Sequence, residues 1–151
     1  MKQYHKIQKE KLFYFAGLFD GEGCICIVKN KSPYKNRTYV YRAFIQLAMT
    51  DKRPIDWLKK NIGGNIYKVK GHKYCQKDYF QWTMNCIESA KFLDVVLEMF
   101  LVKKEQAKNL ISFAKTIKRT GVGGTPENIY KIREKLYLDN KVLNQKGIII
   151  K

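Results

Sequence analysis

The residues best equipped for chemistry are two carboxylates, Asp20 and Glu22, in the run Asp20-Gly21-Glu22-Gly23. They follow an unbroken apolar stretch at residues 12–19, itself preceded by charged residues, so residues 8–20 are expected to form a helix. A helix that ends there points the negative end of its dipole at Glu22, a field hostile to a bare carboxylate and favourable to a bound cation. A carboxylate with backbone carbonyls and water is a hard-oxygen site that suits Mg²⁺ bridging a phosphodiester. Such an ion activates a water and stabilises the leaving oxygen. The neighbouring glycines are expected to let the chain leave the helix abruptly and to let a phosphate approach the backbone. A softer site is conceivable from Cys24 and Cys26 with His72 and Cys75, but the spacing matches no common zinc finger. Reduced thiols in an intracellular protein are the better reading.

The helix that must position Glu22 is apolar on every side over residues 12–19. A helix of that kind is buried all round, against its own core and against another chain, unless it is the central helix of a monomer. Gly17 and Gly21 fall four apart on one face, where two backbones can approach closely. Dimerisation through this helix is favoured, with Tyr14, Gly17, Leu18 and Gly21 as the candidate interface.

After Gly23 the period changes. Residues 24–29 read as a strand, residues 30–36 as a basic turn, and residues 38–49 as an alternating strand. In the latter, Tyr39, Tyr41, Ala43, Ile45 and Leu47 share one face, and Arg42, Phe44 and Gln46 the other. Thr50-Asp51 and Pro54 open a short helix that Gly63-Gly64-Asn65 closes. A second unit repeats the plan with strands at 66–70 and 79–84 and a helix at about 88–101. Residues 103–118 make a basic amphipathic helix, and Gly121-Val122-Gly123-Gly124 is a break. Thr125-Pro126-Glu127 then starts a helix to about residue 142, through a cap and a first-turn proline. That last segment reads either as a wrapped terminal helix or as a loosely attached arm.

The chain has 151 residues, and 30 Lys+Arg against 13 Asp+Glu leave a formal charge of +17. One domain is expected, and with 45% apolar residues it can build a core. So basic a domain needs an anionic partner, nucleic acid or membrane. The longest apolar run is too short to span a bilayer, and the polar opening residues resemble no signal peptide, so neither a membrane nor a small-molecule substrate is expected. Arg42, Gln46, Lys68, Lys70, Tyr79 and Gln81 are expected on the outward face of a sheet suited to a DNA groove, where Arg and Lys read guanine and Gln reads adenine. Lys31, Lys35, Arg37 and Lys73 are expected in the turns, at the outer ends, against phosphates, and Asn30 and His72, also in the turns, are expected to touch DNA. The plainer alternative is that outward polar residues merely solvate the sheet. Strands of about eight residues span roughly 26 Å, and two half-sheets roughly 50 Å, or about 15 base pairs. Lysine far outnumbers arginine, and Ile, Asn and Tyr are abundant, which hints at an AT-rich genome.

The segment Phe15-Ala16-Gly17-Leu18-Phe19-Asp20-Gly21-Glu22-Gly23 closely resembles the nine-residue signature of the LAGLIDADG homing endonucleases, with Ala16, Gly17, Leu18, Asp20 and Gly23 identical in type. Further echoes lie at Ile62-Gly63-Gly64-Asn65-Ile66-Tyr67 and at Lys103-Lys104-Glu105-Gln106-Ala107, so the resemblance covers about residues 9–118. It implies an α+β fold, α-β-β-α-β-β-α, with a four-stranded antiparallel saddle-shaped sheet, helices on one face and extra C-terminal helices at about 119–151. It also implies that Glu22 is the metal-binding acid, that Asp20 is structural, that the Gly21 carbonyl completes the metal shell and that Lys103 orders water at the cut phosphate. The family's polar water-ordering residue falls at Met49 or Thr50 here, with Gln46 one outward position earlier as the candidate. One motif per chain implies a homodimer on a long pseudo-palindromic DNA site, Mg²⁺-dependent and intron- or intein-associated. An RNA-splicing maturase or a DNA-binding regulator of the same fold is the alternative, and a basic structural or ribosome-associated protein a third. The source is left open among organelle, phage, archaeon and bacterium.

Overall fold

The computed structural model describes residues 4–33, 39–71, 77–117 and 125–145. Helix α1 runs from Lys9 to Glu22 and passes directly into strand β1, Gly23–Lys31. Strand β2, Tyr39–Met49, pairs antiparallel with β1, and its alternation follows the expected phase: Tyr41, Ala43, Ile45 and Leu47 are buried and Arg42 is exposed. Asp51 then caps helix α2, Lys52–Asn61, by accepting the Arg53 N–H at 2.9 Å. Gly63 and Gly64 take positive φ values of 102° and 80°, which ordinary side chains rarely adopt, and so turn the chain into β3, Asn65–Val69.

Strand β4, Tyr79–Asn85, completes one sheet of order β1-β2-β4-β3, antiparallel throughout. Asn85 accepts the Glu88 N–H at 3.1 Å and so starts helix α3, Cys86–Val96, two residues before the expected 88. The helical course then gives way to a 3-10 turn at Leu97–Met99, and helix α4, Lys104–Lys115, follows. The fold is the expected α+β arrangement. Helices pack on one side of the sheet and the core lies between them, with Trp82, Phe15, Phe19, Phe92, Phe113 and Ile45 fully buried. Among the described residues no helix is long and apolar enough to cross a membrane.

Of the two readings for the C-terminal segment, the wrapped helix is the one found. Helix α5, Glu127–Leu143, lies along the free edge of β1. Asn140, 2% exposed, accepts the Ile27 N–H at 2.9 Å and donates to the Ile25 carbonyl at 3.2 Å, replacing the neighbouring strand that an edge lacks. Asn144 donates to the same carbonyl, and Lys29 pairs with Glu134 at 2.8 Å. The expected Thr125 cap is not used: Pro126 precedes α5 and no side chain caps it. Asn140→Ala strands a buried N–H, so unfolding in urea should show a loss of about 1–3 kcal/mol.

Candidate active site and nucleic-acid face

Glu22 is the last residue of α1, exposed, and Gly21 lies in the same turn. Gly23 has an ordinary φ of −76°, so conformational freedom is not why glycine stands there. A Cβ at Gly23 would lie 2.4 Å from the buried Phe19 ring; glycine is required for that close packing. The freedom expected of these glycines is therefore replaced by a steric reason, and only at Gly23.

Asp20 is committed to structure. Its carboxylate accepts the backbone N–H groups of Leu101, Val102 and Lys103 at 2.9, 3.3 and 2.9 Å, fixing the turn ahead of α4. The same turn brings Lys103 Nζ to 2.6 Å from the Asp20 carbonyl, at the end of α1 where Glu22 stands. The helix end thus collects one exposed carboxylate, last-turn carbonyls without helical partners, and a cation. Its acceptors are all oxygens, the donor set that fits a hard divalent cation. Among the described residues no three His, Cys, Asp or Glu gather, so the chain alone holds no closed metal site.

Cys24 and Cys26 lie outward on β1 with sulfurs 3.2 Å apart. Their shared hydrogen bond, with help from Lys103 and against the effect of burial, brings the Cys24 thiol down to about 7. The same bond and burial hold Cys26 well above its usual value. The other two zinc candidates, His72 and Cys75, are outside the described residues, as are Lys35, Arg37 and Lys73.

The sheet face turned away from the helices carries most of the remaining candidates. Asn30, Arg42, Gln46, Tyr79 and Gln81 all lie on it by register. Gln81 donates to the Gln46 carbonyl oxygen at 2.7 Å, which ties two of them into one amide pair. Met49 alternates to the helix side and packs against the core, so it supplies no polar group to the site, while Thr50 is exposed just past the strand. Lys31 ends β1 opposite Tyr39, on the helix side of the register and exposed.

Two expected groove residues are placed otherwise. Lys68 pairs in register with Phe80 and lies on the helix-covered side; Tyr67 and Val69 are the outward residues of β3. The reason is that Ile66 sits opposite the buried Trp82 and takes the inward phase, carrying Lys68 with it. On this edge strand the helices cover little, so Lys68 keeps its amine in solvent and pairs with Asp78 at 3.1 Å. Lys70 lies just beyond the strand, exposed. The sequence reading also missed Asn65, Tyr67 and Val69 on the outward face. The alternation of β3 was visible, but only its pairing to Trp82 fixes the phase.

On α1, Leu12, Phe15, Ala16 and Phe19 enter the core, while Gly17 and Gly21 are exposed and Leu18 is half-buried. Phe13 and Tyr14 remain 51% and 47% exposed, so one chain buries only one side of this apolar helix. Apart from the helix's own backbone, nothing lies within 4 Å of a Cβ placed on Gly17 or Gly21.

Known structures share this fold. The homing endonuclease I-CvuI, solved on an I-CreI target in the presence of Mg with the DNA not cleaved, superposes with TM-score 0.76 at 18% identity, over 94% of this chain and 87% of that one. The archaeal intron-encoded homing endonuclease I-Vdi141I, complexed with DNA, gives 0.75 at 17% identity over 94% and 89%. The LAGLIDADG homing endonuclease I-LtrWI, bound to target DNA, gives 0.64 at 18% identity over 92% of this chain and 46% of its own. No protein of curated function matches by sequence. The family profile described as LAGLIDADG endonuclease matches residues 15–118, from the signature at the end of α1 through α4. The chain belongs to the LAGLIDADG endonuclease family of DNA-cleaving hydrolases.

Proposed function

We propose that two copies of the chain form a site-specific endonuclease that cuts both strands of a long, pseudo-palindromic DNA duplex, encoded within an intron or intein. The observation that carries this reading is Glu22, exposed at the end of a helix whose apolar outer face one chain leaves open, with Lys103 held at the same end. Joining two such helices along Phe13, Tyr14, Gly17, Leu18 and Gly21 sets two Glu22 carboxylates side by side, one for each strand. Glu22 and the Gly21 carbonyl would hold a divalent cation, which would supply a polarised water and a counter-charge for the leaving oxygen. Mg²⁺ is the ion we assign, in keeping with the Mg and Ca in the I-CvuI complexes. Asp20 holds the turn that aims Lys103, and Lys103 places positive charge where the phosphate gains negative charge. Gln46, steadied by Gln81, orders solvent or reads a base; the basic turns hold the backbone of the duplex.

The intron association accords with I-Vdi141I, and the length of I-LtrWI, about twice this chain, leaves room for a second copy of the fold. Purified protein mixed with a random duplex library should enrich one long sequence. Its affinity should fall by roughly 10³–10⁵ between 50 and 200 mM salt if six to ten phosphates are contacted. Preference for RNA hairpins over duplex DNA would replace this reading with the maturase one.

A further inference from the structure

The charge of the protein does not sit on the sheet surface that faces the duplex. Among the described residues, Arg42 is the sole cation pointing outward from the four strands, and no acid points outward there. The remaining outward side chains are amides, hydroxyls, aromatics, thiols and small apolar groups. Lys29 and Lys68, two of the strand lysines, lie on the helix side and are paired with Glu134 and Asp78. Among the described residues, the outward surface of the sheet is therefore nearly neutral.

Base edges differ in what they ask of such a surface. In the major groove guanine offers two acceptors, N7 and O6, which the two-donor fork of arginine matches. Adenine offers an acceptor and a donor, N7 and the N6 amine, which one amide matches. Thymine offers a carbonyl and a methyl group, which small apolar side chains cover. The outward face supplies the second and third kinds in quantity. Gln46 and Gln81 are locked together at 2.7 Å and Asn30 is exposed, while Val28 and Val40 flank Arg42 and Asn30 on the neighbouring strand. Asn85 is taken up as the cap of α3 and is not counted.

We infer that the DNA under each sheet is rich in A·T pairs, read by amides and apolar side chains, with a single guanine per half-site fixed by Arg42. This rests on the proposed DNA-cleaving role and specifies its substrate. It also accords with the lysine- and asparagine-rich composition of the chain, the mark of an AT-rich coding sequence.

The test is affinity selection of wild-type protein and of Arg42→Ala from a random-sequence duplex library, at fixed salt. The expected result is an enriched site whose sheet-covered positions are predominantly A·T, with one strongly required guanine in each half. In Arg42→Ala that guanine requirement relaxes, by about tenfold to a hundredfold in relative affinity, while the A·T positions persist. Enrichment of G·C-rich sites overturns the inference and leaves the endonuclease reading standing. So does an Arg42→Ala variant whose affinity drops equally for all sequences, since Arg42 would then hold a phosphate. Failure of the wild type to enrich any duplex overturns both.

Discussion

Glu22→Gln should bind the enriched duplex as the wild type does and fail to cut it. The substitution keeps the shape of the side chain and removes only its charge. Glu22 is exposed, and the hydrogen bonds that fix the helix end are made by Asp20, Lys103 and Gly23. The fold therefore has no stake in the Glu22 carboxylate, whereas the proposed cation would have a large one. Loss of one preorganised electrostatic group at a reaction centre costs about a hundredfold to a thousandfold in rate, and loss of a metal ligand belongs at the upper end. Affinity for the duplex should stay within a few-fold, because one negative charge near the phosphates has been removed. The comparison needs single-turnover cleavage beside a binding curve. Equal cleavage by mutant and wild type would show that the reacting phosphate lies elsewhere.

Gly17→Glu should leave each chain folded and abolish pairing, and cleavage with it. Apart from the helix's own backbone, nothing in the chain lies within 4 Å of a Cβ at Gly17, and the position is exposed, so one copy has open space for a side chain there. Two copies joined along α1 do not, because the absent side chains are what allow the backbones to meet beside Phe13 and Leu18. An unpaired buried charge costs about 3–5 kcal/mol, which weakens association by about two to four orders of magnitude. Sedimentation should show the mass of one chain where the wild type shows two, with the helical dichroism signal unchanged. A Gly17→Glu protein that remains paired and cuts both strands would rule out this interface.

Much of this site is visible in the residues. The apolar run into Asp20 and Glu22, the phase of β2 from Tyr41 to Leu47, the Asp51 cap and the Gly63-Gly64 turn all depend on neighbours a few positions apart. What sequence spacing does not carry is long-range pairing. The bond from Leu101 to Asp20 joins residues 81 positions apart, and it turns one motif acid into a brace for Lys103. Asn140, a polar residue in a helix, reads as surface until β1 is found to need a partner at its edge. The phase of β3 is ambiguous because Ile66 and Tyr67 both suit a core; Trp82 decides it, and Lys68 turns to the helix side as a consequence. The charge of +17 is likewise legible as a total, but its near absence from the outward sheet face required every register.

The central claim is cation-dependent hydrolysis of both DNA strands by a pair of chains. It is tested most directly by incubating wild-type protein with the enriched duplex, labelled on each strand, with Mg²⁺ or with a chelator. Both strands should be cut at one defined position each when Mg²⁺ is present, and neither when it is withheld. A duplex that is bound tightly yet stays whole in Mg²⁺, or one that is cut equally in the chelator, would contradict the account.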